Sequence, residues 1–184
     1  MKLLLHTCCA PCLVKCAESL RGEGLEPVLY WYNPNIHPVV EYRARRDALA
    51  AYAEGAGLAL ETEDVYGLRA FVAAVSPDFD GRCAHCYRVR MEAAAAFAAG
   101  HGYDAFSTTL LISPYQKHEL LRQTAEAAAA RHGVDFLYRD FRPLFRSGQQ
   151  AARDMGLYRQ KYCGCVFSEE ERYGVEGRSR RPSK

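Results

Sequence analysis

Thiols come in tight groups along this chain, and their spacing restricts what it can become. Eight cysteines fall as Cys8-Cys9-Ala10-Pro11-Cys12 with Cys16 one helical turn on, Cys83-Ala84-His85-Cys86, and Cys163-Gly164-Cys165. A CxxC pair lets two thiolates from one turn converge on a metal ion or cluster, and two such clips make a four-sulfur site. The pattern predicts a metal centre held through sulfur, with a function that follows from that centre. A disulfide framework is the competing use, and it needs an oxidising compartment. The opening residues, MKLLLHTCC, hold one lysine and three consecutive leucines, far short of the roughly 7–15 apolar residues of a secretory signal core. No run approaches the roughly 20 apolar residues of a membrane span. The chain is therefore expected to be cytoplasmic and to have no membrane partner, and static disulfides are rare in that compartment. Two other thiol uses stay open. One is a structural zinc site in an RNA-binding module. The other is thioredoxin-like exchange, for which Cys9-Ala10-Pro11-Cys12 at a helix start has the dipole that favours a thiolate. Neither needs eight cysteines.

The fold class follows from short apolar runs alternating with helical patterns. Strands are expected at Lys2–His6, Pro27–Tyr32, Leu58–Glu61, Asp104–Thr108 and Phe136–Arg139. Helices are expected at Pro11–Arg21, Pro38–Gly55, Tyr66–Val75, Cys86–Ala99, Pro114–Arg131 and Gly148–Met155. Proline in a first turn and glycines just past helix ends mark several of these boundaries. Strands separated by helices imply βαβ crossovers, hence an α/β domain with a parallel sheet flanked by helices, Rossmann-like in arrangement. Ligands of such sheets sit beyond the carboxyl ends of the strands. The loops after the first, second and fourth strands open on that edge, and the first of them carries Cys8, Cys9 and Cys12.

A chain of 184 residues with 49% hydrophobic content can bury one sizeable core without staples. The net charge of +2 argues nothing about a nucleic-acid partner. Its distribution says more. Arg139, Arg142, Arg146, Arg153, Arg159 and Lys161 interleave with Phe141, Phe145, Tyr158 and Tyr162, and cations beside exposed rings suit phosphates and unstacked bases. A solvated helix with core aromatics is the blander account of the same stretch. The last residues, 174–184, read as a basic disordered tail.

These segments carry a resemblance. HTCCAPC at 6–12, YNPNIHPVVEYRAR at 32–45, RCAHCYRVRMEAAA at 82–95, FSTTLLISPYQ at 106–116, and DFRPLF with LYRQKYCGC between 140 and 165 together resemble the cobalamin-independent epoxyqueuosine reductases, the QueH family. The match spans about His6 to Ser168. It implies one reductase domain over 1–173 with a fold of the α/β nucleotide-hydrolase-like (HUP) group. It also implies that the substrate is tRNA carrying epoxyqueuosine at the wobble position. The reaction would be two-electron removal of the epoxide oxygen, the last step of queuosine formation, fed by an unidentified electron donor. No cobalamin is implied, and the chain lacks a phosphate loop from which to infer ATP binding.

The resemblance assigns roles as well. It implies a [4Fe-4S] cluster on Cys8, Cys9, Cys83 and Cys86, a second iron at Cys12, and a redox-active pair at Cys163 and Cys165. It also raises the weight on Arg142, Arg146 and Arg159 as RNA contacts. Cys16 matches no motif and reads as a buried helix thiol. His6, His37, His85 and His118 are the histidines nearest the motif loops, and thus the first places to look for a proton donor.

Overall fold

The computed structural model describes residues 1–174; the tail expected from 174 onward lies outside the described residues after Gly174. Four consecutive buried residues, Leu3–His6, form β1, and four more, Ala105–Thr108, form β4. Runs buried on both faces belong in the middle of a parallel sheet. β2 (Pro27–Trp31), β3 (Leu60–Thr62) and β5 (Asp135–Phe136) complete it in the order β3-β2-β1-β4-β5, every pair parallel. Strand order runs one way from β1 through β2 to β3 and the other way through β4 to β5. The switch point therefore lies between β1 and β4, where the following loops diverge and leave a crevice.

The helices are α1 (Ala10–Gly22), α2 (Val39–Gly55), α3 (Leu68–Val75), α4 (Arg82–Gly100), α5 (His118–His132), α6 (Phe145–Asp154) and α7 (Val166–Tyr173). α1 packs against α2 and α6, and α4 against α3 and α5. The alanines of α4 and α5 let those two helices approach closely, and Ala94, Ala95, Ala98, Ala125 and Ala128 are fully buried. Gly133 ends α5 at φ 65°, a left-handed cap that suits glycine.

Most expected elements are present, with several corrections, among them α5 starting at His118 rather than Pro114 and α6 at Phe145 rather than Gly148. α4 begins at Arg82 rather than Cys86, so Cys83 and Cys86 share one helical turn. β5 is two residues long, its pairing with β4 ending in a last bond from the Leu137 N–H to the Phe106 carbonyl at 2.8 Å. α7 was not expected. It is held by a small apolar cluster of its own, in which Phe167 packs beside Phe71, Val75, Cys86 and Cys165, and by an Arg82–Glu171 ion pair. No helix among the described residues is long and apolar enough to cross a membrane.

Candidate metal centre

β1 ends at His6, and the chain turns at once into α1. Cys9 is the N-cap of α1, extended at φ −175°, and Cys12 lies in the first turn. The three thiol sulfurs of Cys8, Cys9 and Cys12 lie within 4.8 Å of one another, all buried. Cys8 and Cys9 are 3.7 Å apart. Two thiolates on a tetrahedral ion with bonds of about 2.3 Å sit about 3.8 Å apart, so this edge fits a metal as it stands. Thr109, at the start of the loop after β4, closes the other side. Its hydroxyl accepts from the Cys8 N–H at 3.3 Å and lies 3.7 Å from the Cys8 sulfur.

The electrostatics favour a single anion within the trio. Hydrogen bonds from the Cys12 and Cys9 thiols hold the Cys8 pKa well below the usual thiol range, against the opposing effect of burial, with Arg90 and Thr109 assisting. Cys12 is pushed up, chiefly by that same hydrogen bond, and Cys9 chiefly by burial. A thiolate is the form that ligates metal.

Cys83 and Cys86 arrive from the first turn of α4. No set of three that includes either closes to the spacing of the first trio among the described residues. They line a cavity of about 230 Å³ together with Cys163 and Cys165. A second cavity, about 370 Å³, lies over Cys8 and Cys12. The two share Tyr115, Gln116 and Cys163 in their walls. The structure thus brings six cysteines to two adjoining hollows, while Cys9, buried, lines neither. Cys16 is fully buried on α1, as expected of a core thiol. A further hollow of about 580 Å³, walled by α3, α4 and α5, touches no cysteine and is not this site.

Two arginines are buried among these thiols, and residue spacing alone did not flag either. Arg90, 2% exposed, lies one turn beyond Cys86 and donates to its carbonyl at 3.2 Å and its sulfur at 3.0 Å. It has no carboxylate partner among the described residues. Burial drives the Cys86 pKa up to about 12, with Arg90 opposing. A buried, uncompensated guanidinium is costly unless an anion lies beside it. The set therefore fits a negatively charged thiolate–metal group, which the arginine would neutralise in part. Arg45, 1% exposed, pairs with Glu41 at 2.7 Å and donates to the carbonyls of Cys163 at 2.8 Å and Tyr162 at 3.0 Å.

That second arginine fixes the Cys163–Cys165 loop. His37 adds three contacts: its N–H reaches the Gly164 carbonyl, its carbonyl accepts from Tyr162, and its Nδ1 accepts from the Val166 N–H. Gly164 has φ 153°, and a Cβ there would meet Ile36 at 3.3 Å and the Arg45 guanidinium at 3.4 Å. Only glycine suits both the backbone and the space. Cys163 and Cys165 are free thiols. Cys163 opens to the cavity, and the dense protein around it raises its pKa.

None of the four histidines lines the cavity over Cys8 and Cys12. His6 is wholly buried, bonded to Thr108 and to the Tyr32 carbonyl, and burial lowers its pKa to about 4. His37 is likewise lowered to about 4 by burial. His85 and His118 are also pushed down, by burial first. All four are held towards the neutral form, which suits a structural imidazole better than an acid.

The basic stretch is partly spent on internal pairs. Arg139 pairs with Glu23 and Arg142 with Asp140 at 2.6 Å, while Phe141 is buried. Arg146 and Arg159 are exposed and have no carboxylate partner among the described residues. Alanine at Arg142, Arg146 and Arg159 together is expected to weaken tRNA binding and to flatten its dependence on salt, since each lost phosphate contact lowers the log–log slope by about 0.9. Filter binding across a salt series measures both. An unchanged slope assigns these side chains to solvent alone.

Fold and site define the class: an α/β domain with a parallel sheet, whose edge gathers buried thiols able to take a metal. The fold is shared with a predicted subunit of a tRNA methyltransferase from Methanocaldococcus jannaschii, at a TM-score of 0.55 and 12% identity over 83% of this chain and 76% of that one. The family model described as epoxyqueuosine reductase QueH matches residues 3–171. The epoxyqueuosine reductase QueH of Dehalococcoides mccartyi is 44% identical, covering 94% of this chain and 95% of its own. That of Thermotoga maritima is 34% identical over 92% and 91%. The chain belongs to the epoxyqueuosine reductase QueH family.

Proposed function

We propose that this protein reduces epoxyqueuosine to queuosine in tRNA, with Cys8, Cys9, Cys83 and Cys86 holding a [4Fe-4S] cluster and Cys12 a second iron. Family membership supports the activity. The observation that carries the site is Arg90, buried without a carboxylate partner among the described residues, which donates to the Cys86 sulfur at 3.0 Å and whose charge favours the thiolate form at both Cys86 and Cys8. Opening the epoxide takes two electrons and two protons, leaving a carbon–carbon double bond and releasing the oxygen as water. When bound, an iron–sulfur cluster supplies electrons one at a time.

The chain's own residues set the conditions for that transfer. Arg90 and Arg45 place positive charge beside the thiolates. Thr109 and the first turn of α1 fix Cys8. Gln116 donates to Cys163 at 3.4 Å and accepts from the Tyr87 hydroxyl at 2.7 Å, which keeps that thiol at the wall between the two cavities. Cys163 and Cys165 form the redox-active pair of the proposal. Cys163 lines both cavities, and Cys165 lines the one that holds Cys83 and Cys86. Localisation in the cytoplasm follows from the same reading, since tRNA is there.

Anaerobic purification tests the reading directly. Iron and sulfide are expected in comparable amounts with absorbance near about 400 nm, and the protein is expected to convert epoxyqueuosine in tRNA under a chemical reductant. Serine at Cys163 or Cys165 is expected to leave iron content and tRNA affinity near wild type while lowering multiple-turnover reduction at least about tenfold, a transition-state loss without a binding loss. A colourless protein with one zinc per chain points instead to the structural-zinc module. If iron falls with activity in the Cys163 and Cys165 variants, those residues are ligands and not a redox pair.

A further inference from the structure

The cavity over Cys8 and Cys12 has features that metal binding does not use. Its volume of about 370 Å³ falls in the range of small-ligand sites. No carboxylate lines it, whereas Lys161 and Arg172 stand in its wall. Tyr115 is 85% exposed, the most exposed of the large hydrophobic side chains in the described chain, and is propped edge-on against Phe145 at 5.7 Å between centroids. An exposed ring of this kind has one free face.

The amides divide by what they already bond. Gln116 is used at both ends, as described. Gln160 donates to the Cys12 sulfur at 3.6 Å, but its Oε1 is buried with no partner. A buried acceptor left unmet costs about 1–3 kcal/mol, so its presence calls for an explanation. Gln149 lines the same cavity, and its side chain makes no hydrogen bond among the described residues. One wall therefore holds an unmet acceptor and a free carboxamide, with an unfilled aromatic face at the mouth and cations around them.

We propose that this cavity receives one unstacked nucleoside of the tRNA, with Tyr115 as its stacking platform and Gln160 and Gln149 reading the edge of its base. Stacking on an aromatic ring and hydrogen bonds to an exposed base edge are how proteins read unpaired RNA. An N–H donor on the base edge would meet the Gln160 oxygen, and Gln149 can both donate and accept. Lys161 and Arg172 would take the flanking phosphates, which position the strand and carry no sequence information. A base so placed has its substituent directed at the thiol floor, as reaction there requires. The proposal rests on the tRNA-reductase reading and names how that substrate is held.

Steady-state kinetics on the full-length, iron-loaded protein with an epoxyqueuosine-containing anticodon stem-loop test it. Tyr115→Ala is expected to lower kcat/KM about tenfold or more, as loss of one stacked base does, and Tyr115→Phe to restore it. Gln149→Ala is expected to lower kcat/KM by about tenfold. Both variants are expected to keep wild-type iron and sulfide content and melting temperature, which separates substrate reading from damage to the centre. Wild-type kcat/KM in Tyr115→Ala and Gln149→Ala, with an active parent, overturns the nucleoside pocket and leaves the reductase reading intact. An inactive, iron-loaded parent overturns both.

Discussion

Serine at Cys8, Cys9, Cys83 or Cys86 is expected to strip iron and sulfide together and to abolish reduction, by more than about 100-fold. Loss of a mere supporting group around a metal already costs about 10–100-fold, and a missing ligand costs more. The sharper outcome is at Cys12. Its sulfur lies within 4.8 Å of both Cys8 and Cys9, so geometry alone makes it as near a ligand as they are. The proposed second iron predicts that Cys12→Ser loses iron but no sulfide. Loss of sulfide in that variant reassigns Cys12 to the cluster, and retention of all iron removes it from both sites. Iron and acid-labile sulfide measured on one anaerobic preparation decide among the three.

Arg90→Met is expected to act in opposite directions on the empty and the loaded protein. Without metal, the substitution replaces a buried cation lacking a carboxylate by an apolar side chain of similar length, so the melting temperature is expected to hold or rise. With metal, the anionic centre loses its neighbouring positive charge. At an effective dielectric near 20 and about 5 Å, that charge is worth about 3 kcal/mol, equivalent to a one-electron potential lower by on the order of 100 mV. Iron is expected to dissociate faster as well. Calorimetry on apoprotein and a reductive titration on holoprotein read the two effects separately. A lower melting temperature of the metal-free variant, with an unchanged potential in the loaded one, makes Arg90 an ordinary packing residue.

The fold was legible because its signals are local. LLLH and AFST are short apolar strands bounded by clear turns, and Gly133 marks a helix end by the conformation it alone takes easily. β5 was overdrawn because Leu137 and Tyr138 look like a strand, although pairing with β4 stops at the Leu137 N–H on the Phe106 carbonyl. α7 escaped notice because VFSEEERY has little apolar periodicity of its own, and its docking depends on Phe71 and Arg82, far away in sequence. At the site, the thiols announced themselves by spacing. Their partners did not. Arg45, Arg90, Thr109, Tyr115, Gln116 and Gln160 lie inside or beside the family segments, but nothing local separates a buried arginine from a solvated one. Burial is a tertiary property. Arg142, for its part, reads as a free cation in sequence and is paired with Asp140 in the fold.

Residues 8–12, 82–86 and 163–165 are remote along the chain, and only the finished packing of β1, β4, α4 and α7 sets them side by side. The sheet beneath them is closed by Leu3, Leu4, Leu5, Leu29 and Phe106, all essentially solvent-free, and is packed by apolar side chains that need no metal. Order of assembly is thereby reversed from that of a zinc finger, where the metal is the folding energy and the empty chain is unfolded. On the proposed reading the scaffold would form without its cofactor, which would enter afterwards past Tyr115. That one mouth would serve the cluster during maturation and the substrate afterwards, so bound RNA would close it to repair.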